Sequence, residues 1–267
     1  KEIKSLGDDI ARKLGCLKDT QAATLACLRA VPVKALLDAW PISRPAYNTP
    51  TLPQEPREAL RAGAFHRVPI IWGGTHDEER GWAAGYLVRQ PFGEDVLAKS
   101  LSDAFSGKAA DVAAVYSAQA YGSAASAWAA AATDVAWSCP TLQSDRYAAE
   151  HTPVFSYEFD DEHAPNPGGA FASPAGFELG AAHASELAYL FDLGARRATL
   201  TPAQQQLSTS MMRYWTNFAR SGNPNGPGLP TWPRFNQAGR TLSLAPDAVR
   251  AFDLSDAHHC RLWAAVG

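Results

Sequence analysis

The side chains in this sequence best able to do chemistry are histidines and carboxylates that flank glycine-rich or apolar stretches. Among His66, His76, His151, His163, His183, His258 and His259, the context of His183 is distinctive. It lies in Leu179-Gly180-Ala181-Ala182-His183-Ala184-Ser185-Glu186-Leu187, after a glycine-rich stretch and before an apolar one. Small flanking residues let such an imidazole approach a substrate as a general base. Glu78 is the second candidate. In Thr75-His76-Asp77-Glu78-Glu79-Arg80 it falls just past an apolar run, where a carboxylate can orient an imidazole and stabilise its protonated form. Without further context, Asp77, Glu78, Glu79 and Arg80 read more readily as a solvated turn with local ion pairs. Asp160-Asp161-Glu162-His163 has the density of a cation site but lacks the spaced ligands and central glycine of a calcium loop. His258-His259-Cys260 carries zinc-type ligands without a Cys-x-x-Cys partner. No metal and no cofactor is expected.

These groups need a scaffold. Lys1 to Gly15 places Ile3, Leu6, Ile10 and Leu14 at helical spacing, and Thr24 to Trp40 repeats the pattern through Leu25, Leu28, Leu36 and Leu37, with a kink or restart at Pro32. Pro41 to Pro56 is aperiodic and reads as a loop. Val68-Pro69-Ile70-Ile71-Trp72, closed by Gly73-Gly74, has the continuous apolarity of a strand buried on both faces, which sets the acidic cluster at a strand's C-terminal end. Gly81 to Tyr147 is alanine-rich, with helices expected over Glu94–Phe105, Ala109–Tyr121 and Ala127–Tyr147, the last interrupted at Cys139-Pro140. Pro153 to Phe159 reads as a second strand and Asp160 to Gly180 as a long functional loop. Pro202 to Arg220 reads as a helix stopped by Ser221-Gly222-Asn223-Pro224-Asn225-Gly226, and Thr241 to Ala245 as a last short strand. Strands alternating with helices predict an α/β fold with a largely parallel sheet, and there is no internal repeat.

Several segments together resemble type B carboxylesterases and cholinesterase-like proteins of the α/β-hydrolase fold. Val68-Pro69-Ile70-Ile71-Trp72-Gly73-Gly74-Thr75-His76-Asp77-Glu78 is similar to that family's strand and acid loop, and Gly180 to Leu187 to its histidine loop. Tyr214-Trp215-Thr216-Asn217-Phe218-Ala219-Arg220-Ser221-Gly222-Asn223-Pro224-Asn225, followed by Trp232-Pro233, resembles its C-terminal helix and turn. The resemblance implies Glu78 as the triad acid and His183 as the general base, in the hydrolase order of nucleophile, acid, histidine. It also implies that Arg80 and Trp82, with Tyr86, line the substrate pocket, and that the disulfides are Cys16–Cys27 and Cys139–Cys260; four free buried thiols are the alternative. Two bridges place the protein in an oxidising compartment, secreted or periplasmic. Two features depart from the family pattern. Glu79 replaces the glycine after the acid, an extra carboxylate expected to repel Glu78 or point to solvent. The sequence also contains no Gly-x-Ser-x-Gly.

The expectation is therefore the C-terminal portion of the α/β-hydrolase sheet with flanking helices, residues 1–267 forming the C-terminal half of a single domain. The nucleophile elbow and oxyanion loop would lie on an N-terminal half supplied as a separate chain or segment, and the chain begins at Lys1 without a starter methionine. That N-terminal half and a small-molecule ester are the expected partners. Without it, a cut sheet would expose an apolar edge, so these residues are not expected to fold self-sufficiently, although their 46% hydrophobic content suffices for a core. The competing class is a non-catalytic cholinesterase-like binding or adhesion protein, against which the presence of both Glu78 and His183 argues. A net charge of -3, from 24 basic and 27 acidic residues, gives no footprint for nucleic acid. No apolar run reaches the ~18–20 residues of a membrane span, so a soluble chain is expected.

Overall fold

A computed structural model of the chain describes residues 3–39, 45–166, 169–194, 198–236 and 239–266. The chain divides into two compact units, Lys1–Ala59 and Leu60–Gly267.

The first unit is helical. Helices span Ile3–Lys13, Gln21–Ala30 and Val33–Ala39. Thr20 caps the second by accepting from the Ala23 N–H at 3.2 Å. The restart expected at Pro32 occurs because the residue before a proline is pushed out of helical space, and Val31 is extended (φ -70°, ψ 135°). The Cys16–Cys27 disulfide joins the end of the first helix to the second, with Cα atoms 5.3 Å apart. Leu25, Val33 and Leu37 stay exposed, so the apolar period forms helices without burying their stripe. Of the expected loop from Pro41, residues 41–44 lie outside the described residues, 45–55 are irregular, and Pro56 opens a helix over Pro56–Arg61.

In the second unit four strands form one sheet in the order β1 (Ile70–Thr75), β2 (Val154–Phe159), β3 (Arg240–Ala245) and β4 (Ala248–Asp253). The first three are parallel; β4 folds back on β3 as a hairpin. β1 departs from expectation in two ways. It runs through Gly73 and Gly74, because Gly73 faces Tyr157 so closely that a Cβ would lie 2.2 Å from the Tyr157 carbonyl oxygen. The glycines thus permit close backbone approach and do not end the strand. Nor is β1 buried on both faces. It is an edge strand among the described residues, most of it half-buried, and Val68 lies outside it, exposed. The sequence reading missed β4, whose alternation is weak.

The core behind the sheet gathers Phe155, Phe159, Met211, Tyr214, Trp232 and Leu244. The helix Pro202–Ser221 presents Leu207, Met211 and Tyr214 to it at one-turn spacing, starts with a Thr201/Gln204 capping box and stops at Gly222 (φ 72°). Asn225 then accepts the Trp232 N–H at 2.7 Å and donates to its carbonyl at 2.9 Å, fixing the indole whose own N–H reaches the Ser156 carbonyl at 2.9 Å.

Helices Glu94–Ala104, Ala109–Val115, Ala118–Tyr121 and Ala124–Thr133 pack into a second core with Trp263. The single helix expected over Ala109–Tyr121 breaks where Ser117 caps a new start. The interruption at Cys139-Pro140 is a π-helical turn, Asp134–Ser138, leading into the helix Cys139–Ala149. Pro140 has no N–H to give, and a wider turn relieves the clash of its ring with the preceding carbonyls. Cys139 bonds Cys260 at the start of the last helix, Cys260–Val266. No described helix is long and apolar enough to cross a membrane.

Two measurements follow from this packing. The Cys139–Cys260 bridge spans 121 positions, against 11 for Cys16–Cys27. Loop entropy gives about 5 kcal/mol for the long bridge and about 3 for the short one as upper values, so Cys139→Ala/Cys260→Ala should lower stability more than Cys16→Ala/Cys27→Ala in urea titrations. Asp145, fully buried on the helix Cys139–Ala149, has its carboxyl pushed by burial up to about 7, opposed only by the Ser156 hydroxyl. Its folded value lies above the ordinary one, so its contribution to stability is full below about pH 4 and is lost as pH rises to about 7. Asp145→Asn should flatten the stability profile over that window and be the more stable form above it, by up to about 4 kcal/mol.

Candidate active site

Backbone pairing brings two loops together. Beyond β1, the His76 N–H donates to Phe159 O at 3.0 Å and the Asp77 N–H to Ala181 O at 2.9 Å. The Asp77 carboxylate accepts the Ala181 N–H in return at 3.0 Å, and Asp77 and Ala182 form an isolated parallel bridge. Gly180 is required on two counts. Its φ is +61°, and a Cβ there would lie 2.1 Å from Asp77 Oδ2. Arg80 closes the joint, with Nε 2.9 Å from Asp77 Oδ1 and a second donor 3.3 Å from the Glu178 carbonyl. Burial opposes the charge on Asp77, but His76, Arg80 and the Ala181 N–H together hold its carboxyl below the usual range.

With Asp77 and Ala182 in register, Glu78 and His183 are adjacent. Glu78 Oε2 lies 2.6 Å from His183 Nδ1, and Oε1 accepts the Thr75 N–H at 2.9 Å. Glu78 is almost fully buried, whereas the His183 side chain is 42% exposed. A carboxylate on Nδ1 makes that nitrogen the donor and leaves Nε2, on the exposed side chain, as the proton acceptor. Ala184 follows at φ 67°, a conformation that costs an L-residue about 1–2 kcal/mol and that sets the chain direction after His183.

Trp82 and Trp137 flank the imidazole, with ring centroids 5.2 and 5.3 Å from it. The two indoles stack at 6.4 Å and Phe171 abuts Trp82 at 5.7 Å. Trp82 is 49% exposed, so it stands beside the imidazole at the surface and not in the core. Glu79 does not simply point to solvent: it is half-buried, and its carboxylate has a donor of its own. The π turn carries Trp137 over it, and the indole N–H donates to Glu79 Oε1 at 2.7 Å while the Glu79 N–H donates to Thr133 Oγ1 at 3.1 Å. Arg80 is committed to Asp77 and Glu178, and Tyr86 packs edge-on against Phe92 at 5.2 Å.

A cavity of about 390 Å³ adjoins Glu78 and His183, lined also by Trp72, Tyr157, Glu158 and Glu186. Burial pushes the Glu186 carboxyl up, its own backbone N–H opposing, and the Glu78 charge adds to the rise. Glu186 lies within the histidine-loop motif, which was the available signal for it. Trp137 had none, since its contact depends on the π turn. Asp160-Asp161-Glu162-His163 proves to be a loop anchor: Asp161 accepts from Tyr189, from Gln204 at 2.8 Å and from the His163 N–H at 2.9 Å. His258, read in sequence only beside His259 and Cys260, is instead buried between Asp134, on its Nδ1 at 2.5 Å, and Glu158 on its Nε2. Burial alone would favour the neutral ring, but Glu158 and Asp134 outweigh it and hold His258 up to about 10.

Comparison with known proteins matches residues 1–263 to the family described as the carboxylesterase family. Carboxylesterase 3 of Pongo abelii is 32% identical over 90% of this chain and 46% of its own length. Cocaine esterase of Homo sapiens is 38% identical over 46% of this chain and 22% of its own. The medium-chain fatty acyl-CoA hydrolase precursor of Anas platyrhynchos is 28% identical over 88% and 45%. The chain thus spans about half the length of the curated relatives it matches along most of its residues.

The Glu79–Trp137 bond can be tested apart from activity. Trp137→Phe keeps a ring beside His183 but leaves the half-buried Glu79 carboxylate without its donor, which should cost about 1–3 kcal/mol. Urea titration of Trp137→Phe, Glu79→Gln and the double variant should show the penalty shrinking in the double variant; additive losses would mean that the bond contributes nothing.

Proposed function

The chain belongs to the carboxylesterase family, and from that premise we propose that it serves in hydrolysis of carboxylic esters through an acyl-enzyme, contributing the histidine and acid of a Ser-Glu-His triad. The observation that carries the proposal is the 2.6 Å contact between buried Glu78 and half-exposed His183 beside a cavity. The serine and the oxyanion donors come from the N-terminal half of the same α/β-hydrolase domain, as a separate chain or a segment outside this sequence. The absence of Gly-x-Ser-x-Gly from these 267 residues and the match to about half of each long-matching relative support that division. So does the edge position of β1 among the described residues, where a further parallel strand can add to the sheet.

In the acylation step His183 Nε2 takes the serine proton as the oxygen attacks the ester carbonyl carbon, then returns that proton to the departing alkoxide. Glu78 stays ionised, fixes the tautomer and stabilises the imidazolium. Water repeats the sequence on the acyl-enzyme and releases the acid. No step calls on a cofactor. Trp82 and Trp137 form an apolar wall suited to uncharged acyl or alkyl groups, while Arg80, held by Asp77, keeps the loop in place. Two disulfides support a secreted or periplasmic setting.

The test uses the enzyme with its serine-bearing half and p-nitrophenyl acetate as substrate. His183→Ala should lower kcat/KM by about 10⁴-fold or more, and Glu78→Gln by about 10²–10⁴-fold with KM little changed. Residues 1–267 alone should be inactive. Hydrolysis by the isolated chain at a rate that survives His183→Ala would overturn the assignment.

A further inference from the structure

A second constellation lies outside the proposed triad. His76 stands at the end of β1, Glu158 on β2 and His258 just before the last helix, and one ligand atom from each lies within 4.8 Å of the others. We propose that His76, Glu158 and His258 form a binding site for a divalent transition-metal ion of the zinc class, ligated by two imidazoles and a carboxylate.

Three features support it. First, the donor set of two nitrogens and one oxygen suits zinc, which accepts three protein ligands and keeps a fourth position for water. Second, both imidazoles carry the outer carboxylate that commonly orients metal-binding histidines. Asp134 sits 2.5 Å from His258 Nδ1, leaving Nε2 directed at Glu158, and Asp77 sits 3.3 Å from His76 Nδ1. Asp134 is itself fixed by the Tyr116 hydroxyl at 2.6 Å, which accepts in turn from the Trp263 indole at 2.8 Å. Third, the charge is suitable. Asp77, Asp134, Glu158 and Asp160 surround the two rings, and Arg80 on Asp77 answers one of them. Carboxylates placed against both rings, only one of them paired with an arginine, give a negative field that favours a dication. On binding, any proton on the ligating nitrogen of either imidazole, including the one between His258 Nε2 and Glu158, leaves to solvent, and the two vacated lone pairs and the Glu158 carboxylate take the ion.

Access is available on one side. His76 is 43% exposed and Glu158 also lines the cavity beside His183, whereas His258 is 3% exposed. The ligands come from three distant stretches, so the site leaves no spacing motif in the sequence. His259 and Cys260, adjacent to His258, take no part: Cys260 is in its disulfide and His259 packs edge-on against Tyr116.

The protein together with its serine-bearing half, its folding checked by circular dichroism, is stripped with a chelator, dialysed and titrated with zinc chloride by calorimetry, with metal content read by mass spectrometry. One equivalent should bind at micromolar concentration or tighter, and cobalt(II) should give the intense visible absorption of a four-coordinate ion. His76→Ala removes a half-exposed ligand and leaves the His258–Asp134 pair intact, so it should fold and bind at least about 100-fold more weakly. Glu158→Gln, checked for folding by circular dichroism, should do the same, whereas His183→Ala should bind as the parent does. Absence of zinc uptake by the parent chain, or unchanged uptake by His76→Ala, would overturn the site.

Discussion

The geometry of the second unit depends on one short stretch of pairing between the residue after β1 and the residues before His183. Asp77 and Ala181 exchange backbone and side-chain hydrogen bonds, and Asp77 and Ala182 pair in parallel. Everything that makes Glu78 and His183 neighbours follows from that register. A slip of one residue would turn Glu78 to the other side of the strand direction, because side chains alternate along extended backbone. The joint is possible only because Gly180 has no Cβ where the Asp77 carboxylate sits and because a left-handed φ is open to it. Arg80 then offsets the charge that Asp77 carries into the interior.

The same joint explains how three consecutive carboxylates and one arginine acquire separate tasks. Asp77 faces the histidine loop, Glu78 the imidazole and Glu79 the indole of Trp137. A turn that starts at a strand end sends successive side chains in different directions, so like charges adjacent in sequence do not share one space. Each meets its own donor, as buried or half-buried carboxylates must. The π turn before Pro140 is the counterpart on the helical side. It positions both Trp137 over the site and Asp134 against His258, so one helix irregularity serves both the site and the buried charge cluster beneath it.

Much of this was legible before any coordinates. The helix restart at Pro32, the start of Glu94–Ala104, β2 and the capped helix Pro202–Ser221 follow from local punctuation and periodicity. Glu78 stood out as a carboxylate just past an apolar run, and His183 because small residues flank it after a glycine-rich stretch. The bounds of β1 were misjudged because glycine has two meanings, a chain breaker in sequence and a point of close approach in a sheet. Trp82 was legible as a candidate, but its distinction between core and wall depended on exposure. Arg80 read more readily as an ion-pair partner of Glu79 or Asp77 than as a substrate group, and only the fold showed that its partner is Asp77.

By itself, the sequence determined the broad placement of the helices and of β1 to β3, since backbone preferences act over a few residues, and which chemical groups stand at their ends. It also carried the family motifs and the cysteines. Only the tertiary structure decided which carboxylate meets which base, that Glu79 is answered by an indole, and that His258 is clasped by Asp134 and Glu158 from opposite sides. The physical reason is that these contacts join residues 58 to 124 positions apart, and their directions are set by strand register, one π turn and a disulfide. No local preference encodes a direction through space.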